Sequence, residues 1–170
     1  MSIVAVVGNP RSGSRTATVA TRVAERAAAA AGLPVGTPVD VIELADLAPE
    51  LFDWSSAAVA EQVERLTSAR LAVIASPTYK GTYTGLLKAF LDRFGRTDLN
   101  GVVAVPVLIG AGAAHALAVE VHLRPLLVEI GASLPTRGLF VLDTELDQLD
   151  ATLDDWLTEA TTPLTNALRP

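Results

Sequence analysis

The chain alternates between short, continuously apolar segments and longer segments in which apolar residues recur every three or four positions. The continuous segments are rich in β-branched residues, which is typical of strands covered on both faces of a parallel sheet. These segments are Ile3–Val7, Val39–Leu44, Leu71–Ala75, Val102–Ile109 and Leu139–Leu142. Because five such strands alternate with helices, the pattern predicts an α/β fold with helices on both faces of a parallel sheet.

The periodic segments predict five amphipathic helices. They cover Ser14–Ala31, Ala57–Ala69, Thr84–Phe94, Ala113–Ile130 and Glu145–Thr162. In the third helix, Leu87 and Leu91 follow the i, i+4 spacing of a single face. Pro163 predicts the end of the last helix. Thr144 and Asp147 have the spacing of a capping box, which predicts its start.

Composition narrows the class of protein. The 170 residues, 50% of them apolar, fit one globular domain covering residues 1–170. The formal net charge of -6 disfavours binding to a nucleic-acid backbone. The chain contains no cysteine, which excludes disulfides and cysteine nucleophiles and agrees with a cytoplasmic location.

Neither export nor a membrane span is expected from the sequence. The apolar run at the N-terminus is too short for a signal sequence. The longest uncharged stretch, residues 101–119, contains proline and several glycines and is better explained by a strand, a turn and a helix. We therefore expect a cytoplasmic protein that binds neither a membrane nor nucleic acid.

Three loops form the candidate site, because ligands of parallel α/β sheets bind beyond the carboxyl ends of the strands. The first loop, residues 8–16, precedes a helix and offers hydroxyls at Ser12, Ser14 and Thr16 with the charges of Arg11 and Arg15. Such a loop suits a phosphate. Ser14 stands where a nucleoside-triphosphate loop needs lysine, so a phosphate monoester without a metal is favoured. The alternative is an ordinary strand–helix turn with a capping serine.

The second loop, residues 76–85, holds all the tyrosine of the chain and one of its two lysines. Thr78, Tyr79, Lys80 and Tyr83 could offer an aromatic wall and hydroxyl donors to a planar ring. The alternative is that tyrosines are simply common on loops.

The third loop, residues 110–115, approaches a dinucleotide fingerprint but has His115 at the last glycine and no acid about 20 residues on. We therefore reject a dinucleotide-binding unit. Gly110, Ala111 and Gly112 would let the backbone approach a ligand held by the other loops, or they form a plain tight turn. His115 and His122 lack a further ligand nearby in the sequence, so no metal site is predicted.

At these loops the chain resembles the NAD(P)H-dependent FMN reductases, particularly those that serve two-component sulfonate monooxygenases. The family's phosphate loop, Gly-Ser-Pro-Arg-x-x-Ser-Arg, is matched with Asn9 in place of the first serine. Its Pro-x-Tyr-Lys-x-x-Tyr stretch beside the flavin ring is matched from Pro77 to Tyr83. Lys80 favours this branch over quinone and azo reductases, which usually carry asparagine after the tyrosine.

The resemblance implies a flavodoxin-like three-layer sandwich with strand order 2-1-3-4-5. It implies hydride transfer from NAD(P)H to FMN, reduced flavin supplied to a flavin-dependent monooxygenase, and a homodimer or homotetramer. Because the flavin carries the chemistry, no catalytic side chain is predicted, although Lys80 could stabilise charge on the reduced flavin. A quinone or azo reductase with retained FMN and a flavodoxin-type electron carrier are the alternatives.

The predicted flavin-binding residues come from all three loops. They are Asn9, Arg11, Ser12, Ser14, Arg15, Thr16, Pro77, Thr78, Tyr79, Lys80, Tyr83, Gly110, Ala111, Gly112 and His115. One departure concerns Val121, which stands where the sulfonate-system reductases carry an aromatic residue. In those enzymes that residue accompanies a helix bulge at the subunit interface and use of FMN as a substrate. Whether FMN dissociates or stays bound is therefore open at this point.

Overall fold

A five-stranded parallel sheet lies at the centre of the computed structural model, which describes residues 2–34 and 36–169. The strands are β1 (Ile3–Val7), β2 (Val39–Glu43), β3 (Leu71–Pro77), β4 (Val103–Gly110) and β5 (Leu139–Leu142). Their order is β2-β1-β3-β4-β5, with every neighbouring pair parallel. The predicted flavodoxin-like α/β sandwich and its strand order are confirmed.

The described residues form six α-helices, of which the first five connect strands and the last follows β5. They are α1 (Arg15–Ala30), α2 (Leu44–Leu47), α3 (Ala57–Thr67), α4 (Gly85–Leu91), α5 (Arg124–Glu129) and α6 (Leu149–Ala167). Ser14 and Ser56 begin α1 and α3 as N-caps, each accepting a backbone N–H from the first turn. The short α2 was not predicted, and it takes Leu44 from the end of the predicted second strand. None of the described helices has both the length and the apolar composition to span a bilayer.

The pleat of the strands divides the core into two layers. On β1, Ile3, Ala5 and Val7 face α1 and α6, whereas Val4 and Val6 face the opposite layer, which contains α3, α4 and α5. Both sets are almost fully buried, and β3 and β4 are buried in the same way. This two-sided burial explains why the central strands could be predicted from continuous apolar runs, whereas the edge strand β2 is largely exposed or partly buried.

The predicted continuous helix over Ala113–Ile130 is wrong. A 3₁₀ turn at Ala113–His115 and a π-helix at Val119–Leu123 precede α5, and the N–H of Arg124 donates to the carbonyl of Val119, five residues back. The bulge lies in the segment where the resemblance places one, although Val121 is not aromatic. It keeps Val119 and Leu123 buried against the sheet while Val121 remains exposed.

The end and the start of the last helix also differ from prediction. α6 continues through Pro163, which has no N–H to donate, because Leu164 beyond it is fully buried in the core. Burying a leucine contributes about 1.5–3 kcal/mol, which offsets much of the roughly 3 kcal/mol cost of an internal proline. A 3₁₀ turn at Leu146–Gln148 comes before α6 and is flanked by Glu145 without a side-chain cap, so the predicted capping box of Thr144 is wrong.

Candidate functional site

The carboxyl ends of the central strands open into a cleft of ≈ 630 Å³. This volume lies in the range of sites that hold small organic ligands. All three predicted loops contribute to its lining, which includes the predicted residues Asn9, Arg11, Ser12, Ser14, Arg15, Thr16, Pro77, Thr78, Tyr79, Gly110 and Ala111. Gly13, Ile109 and Asp143 line the cleft as well. The structure therefore brings most of the predicted residues together in one place.

The loop after β1 leads into the N-terminus of α1. Ser14 Oγ accepts the N–H of Ala17 at 3.3 Å, which satisfies one donor of the first turn. The N–H groups of Arg15 and Thr16 precede any intrahelical partner, so they remain available to a ligand. Together with the positive end of the helix dipole, they form an anion-binding feature at the edge of the cleft.

Asn9 connects the start of this loop to its end by a hydrogen bond. Its Nδ2 donates to Thr16 Oγ1 at 2.9 Å, and its Oδ1 accepts the N–H of Arg11 at 3.0 Å. An asparagine side chain carries separate donor and acceptor atoms, and both are used here. Asn9 therefore shapes the loop in addition to lining the cleft.

Asp143, which sequence reasoning missed, joins the first loop to the end of β5. Its carbonyl accepts Arg15 Nη1 at 3.4 Å across the cleft, and its N–H donates to the carbonyl of Gly110 at 3.0 Å. Asp143 directly follows β5, and strand ends of a parallel sheet meet at one edge. Its position at the end of a strand is the sequence signal that could have identified it.

The second loop forms a tight hairpin turn. Tyr79 N–H donates to Thr82 O at 2.8 Å, and Thr82 N–H donates to Tyr79 O at 3.3 Å. The two central residues, Lys80 (φ 54) and Gly81 (φ 83), are both left-handed, as a type I′ turn requires. This turn places Tyr79, half exposed, on the cleft wall and puts Lys80 at the exposed tip, outside the lining.

Replacing Lys80 with asparagine is expected to stabilise the protein. A lysine in the left-handed region is strained, whereas asparagine tolerates it, so Lys80→Asn should raise the free energy of unfolding by about 0.5–1 kcal/mol. Thermal unfolding followed by circular dichroism measures this change. The matched control is Lys88→Asn, which removes the same charge from α4 and should not stabilise. Equal shifts in both variants would contradict the strain argument.

Hydrogen bonds of Thr84, the N-cap of α4, connect the first two loops. Thr84 Oγ1 donates to the carbonyl of Gly8 at 2.6 Å and accepts the N–H of Leu87 at 3.1 Å. The Thr84 N–H donates to the Oγ of Ser76, which is fully buried at the end of β3. At Gly8 a Cβ would lie 2.8 Å from Leu87 Cβ, so this close approach requires glycine.

The floor of the cleft contains an unpartnered hydroxyl. Thr78 Oγ1 is buried and has no hydrogen-bond partner among the described residues, although the Thr78 N–H donates to Ile109 O at 2.7 Å. Beside it, Gly110 leaves the backbone bare, since a Cβ there would lie 2.7 Å from Phe140 Cζ and 3.3 Å from Thr78 Oγ1. A buried hydroxyl without a partner is costly, so this position suits a ligand with a polar atom.

Four predicted residues lie outside the lining of the cleft: Lys80, Tyr83, Gly112 and His115. Tyr83 is partly buried and packs against the apolar layer that contains α4. His115 is exposed, and its N–H donates to the carbonyl of Gly112 at 3.1 Å to close the 3₁₀ turn. Contacts of these four residues with a ligand remain predictions.

Comparison with known proteins identifies the family. The sequence profile described as NADPH-dependent FMN reductase matches residues 1–147. The chain belongs to this family. The predicted resemblance is thereby confirmed, and with it the class of enzyme, an oxidoreductase that uses FMN and a nicotinamide co-substrate.

Curated relatives agree over most of the chain. It is 30% identical over 151 residues to the FMN reductase (NADPH) of Escherichia coli K12, covering 86% of this chain and 75% of the relative. It is 33% identical over 155 residues to the FMN reductase (NADPH) of Pseudomonas aeruginosa PAO1, covering 85% and 78%. The NADH-dependent FMN reductase SfnF of Pseudomonas putida is 29% identical over 151 residues, covering 86% and 80%.

Two solved structures are similar over nearly the full chain. An NADH:FMN oxidoreductase in its apo form superimposes with a TM-score of 0.74 at 33% identity, covering 92% of this chain and 88% of that one. An oxidoreductase from Corynebacterium diphtheriae superimposes with a TM-score of 0.80 at 26% identity, covering 98% of both chains. The fold of this FMN reductase family member therefore matches that of an NADH:FMN oxidoreductase and of a second oxidoreductase.

Proposed function

We propose that the cleft is the FMN site of an NAD(P)H:FMN oxidoreductase and that reduced FMN leaves it to serve a flavin-dependent monooxygenase. The first loop and the N-terminus of α1 would hold the phosphate. The second and third loops would face the rest of the flavin. The observation that carries the proposal is the convergence of an anion-binding helix end and an unpartnered buried hydroxyl, Thr78 Oγ1, in one cleft.

The chemistry of the first loop fits a phosphate monoester. Arg11 and Arg15 line the cleft beside the free N–H groups of Arg15 and Thr16. Charge-assisted hydrogen bonds from guanidinium groups to phosphate are about twice as strong as neutral ones. The two arginines thus supply positive side-chain charge at the cleft in a chain whose net charge is -6.

The opposite side of the cleft fits the remaining, less charged part of a flavin. Tyr79 supplies an aromatic surface, Thr78 a hydroxyl, and Gly110 and Ala111 a backbone that a flat ring can approach closely. When bound, FMN supplies the hydride-accepting chemistry, and the chain binds and orients it. The proposed charge stabilisation by Lys80 requires its flexible side chain to reach back from the tip of the turn.

The exposure of the cleft walls supports a flavin that dissociates. Arg11 is exposed and 52% of Tyr79 is accessible to solvent, so the cleft is open to solvent at both of these lining residues. Dissociation is what transfer of reduced FMN to a separate oxygenase requires. A retained flavin would favour the alternative quinone or azo reductase.

We also infer a homodimer or homotetramer. Leu117, Val121 and Val128 are all more than half exposed, and their spacing puts them along one side of the segment that contains the π-helix and α5. An exposed apolar strip of this kind favours association. The expected cytoplasmic location stays a prediction.

The phosphate contact is tested by comparing FMN with riboflavin, which lacks the phosphate. The purified protein should bind FMN more tightly, and Arg11→Ala should raise the FMN dissociation constant about 10-fold or more while leaving riboflavin nearly unchanged. Flavin fluorescence titration measures both constants. Arg96→Ala is the control, since Arg96 is exposed and pairs with Glu129 away from the cleft. An equal effect of Arg11→Ala on both flavins would contradict this assignment.

Turnover distinguishes the two candidate enzymes. With a dissociable flavin, oxidation of NADPH should depend on added FMN and saturate with it. A yellow protein that retains FMN through gel filtration and turns over by a ping-pong mechanism would contradict release of reduced FMN. Absence of NAD(P)H oxidation with added FMN would instead favour an electron carrier.

A further inference from the structure

Two carboxylates contact the first loop, residues 8–16, from outside the cleft. The N–H of Gly13 donates to both carboxylate oxygens of Glu43, at 3.1 and 3.0 Å. The Oγ of Ser12 donates to the carboxylate of Asp46. Glu43 is the last residue of β2 and Asp46 lies in α2, so both partners come from a distant part of the chain. Neither carboxylate lines the cleft.

The position of these acids is electrostatically unfavourable for an anion site. A negative charge next to a loop that binds phosphate repels the ligand, so some other effect must offset that repulsion. Glu43 and Asp46 each accept a charge-assisted hydrogen bond from the loop, which is stronger than a neutral one. The hydrogen bonds to both acids therefore stabilise the conformation of the loop.

These hydrogen bonds hold the backbone of the first loop at Gly13. Gly13 has a φ of 62, which lies in the left-handed region, and its N–H donates to Glu43 at the end of β2. With the Gly13 N–H and the Ser12 hydroxyl engaged by the protein, the loop leaves a ligand the first N–H groups of α1 and the side chains of Arg11 and Arg15. The acids thus select which donors face the cleft.

We propose that Glu43 and Asp46 are positioning residues that make the cleft selective for a phosphorylated flavin. The inference rests on the proposed function, because it assumes that the first loop holds the FMN phosphate. Glu43 and Asp46 hold Ser12 and Gly13 in place, and this fixes the direction of Arg11 and of the α1 N-terminus. Without them the loop samples other conformations. Binding of the phosphate must then order the loop, and the conformational entropy lost in doing so weakens the affinity.

The test measures dissociation constants for FMN and riboflavin by fluorescence titration of the full chain. Glu43→Ala, Asp46→Ala and the double variant should raise the FMN constant, the double variant by about 10-fold or more, and should change the riboflavin constant by less than about twofold. Glu43→Gln and Asp46→Asn should restore most of the FMN affinity, because an amide oxygen still accepts the same hydrogen bonds. Asp40→Ala removes a carboxylate from the same strand, where it pairs with Arg65, and should have no effect.

Each result has a defined meaning. Tighter or unchanged FMN binding in the alanine variants overturns the proposal, as does an equal loss for both flavins or a failure of the amide variants to restore affinity. If the double variant does not fold by circular dichroism, Glu43→Ala alone decides. A wild-type protein that binds FMN and riboflavin equally would contradict the proposed phosphate site itself. A preference for FMN over riboflavin that is as large in Glu43→Ala as in the wild type would contradict only the positioning role.

Discussion

Gly110→Ala is expected to weaken FMN binding more than tenfold while the protein remains folded. The added Cβ would lie 2.7 Å from Phe140 Cζ and 3.3 Å from Thr78 Oγ1, so the floor of the cleft must shift. Overpacking of this kind costs about 1–3 kcal/mol. That cost lowers the free energy of unfolding, and FMN binding is weakened because the groups that shift, Thr78 and Gly110, both line the cleft. Fluorescence titration with FMN measures the effect.

Gly112→Ala is the matched control for this prediction. It adds the same methyl group to the same loop, but no heavy atom lies within 4 Å of the position of its Cβ, and its backbone is extended (φ -152). Its FMN affinity and thermal unfolding should match those of the wild type. If both glycine variants bound FMN normally, the loop after β4 would not belong to the flavin site.

Trp156→Ala is expected to lower the free energy of unfolding by about 3–5 kcal/mol. Trp156 belongs to α6, is 2% exposed and packs in the core layer that also contains residues of β1 and α1, so alanine would leave a cavity there. Its Nε1 also donates to the carbonyl of Arg137 at 3.1 Å, and alanine would leave that carbonyl without its partner. Urea unfolding measured by circular dichroism gives the change.

The other tryptophan of the chain is the control. Trp54 is 70% exposed and lies 4.6 Å from the guanidinium carbon of Arg93, a cation–π contact worth about 0.5–1 kcal/mol at an exposed site. Trp54→Ala should therefore cost less than about 1 kcal/mol. Trp156→Phe should fall between the two variants. A loss below about 1 kcal/mol in Trp156→Ala, no larger than that in Trp54→Ala, would contradict the role of Trp156 in the core.

The existence of all five strands was predictable from sequence, and burial on both faces, which leaves a continuous apolar run, explains this for the central ones. Their ends were less predictable, since β2, β3 and β4 each differ from the predicted bounds by one or two residues. The interiors of the helices were less predictable from sequence than the strands. Pro163 predicts a stop by its local chemistry, yet Leu164 continues into the core, and that burial depends on the sheet. The π-helix at Val119–Leu123 likewise reflects packing against the rest of the fold, since a bulge and a regular helix have nearly the same sequence pattern.

The loops of the site were predictable because strand ends converge at one edge of a parallel sheet. Contacts between those loops and distant elements were not. The hydrogen bond from Gly13 to Glu43 joins residues 30 positions apart, and that from Arg15 to Asp143 joins residues 128 apart. Sequence spacing carries no signal for such pairs. Likewise, the left-handed conformation of Lys80 is visible only once the turn is built.

The hydrogen bond from Thr84 to the carbonyl of Gly8 makes two sides of the cleft mechanically dependent on each other. Thr84 begins the helix that follows the aromatic loop, and Gly8 begins the loop that faces the phosphate side. A displacement at one end is thus transmitted to the other through a single buried hydroxyl. Substitutions on the two loops are therefore expected to be non-additive, and a double-mutant cycle between them would measure how strongly recognition of the phosphate is coupled to recognition of the ring.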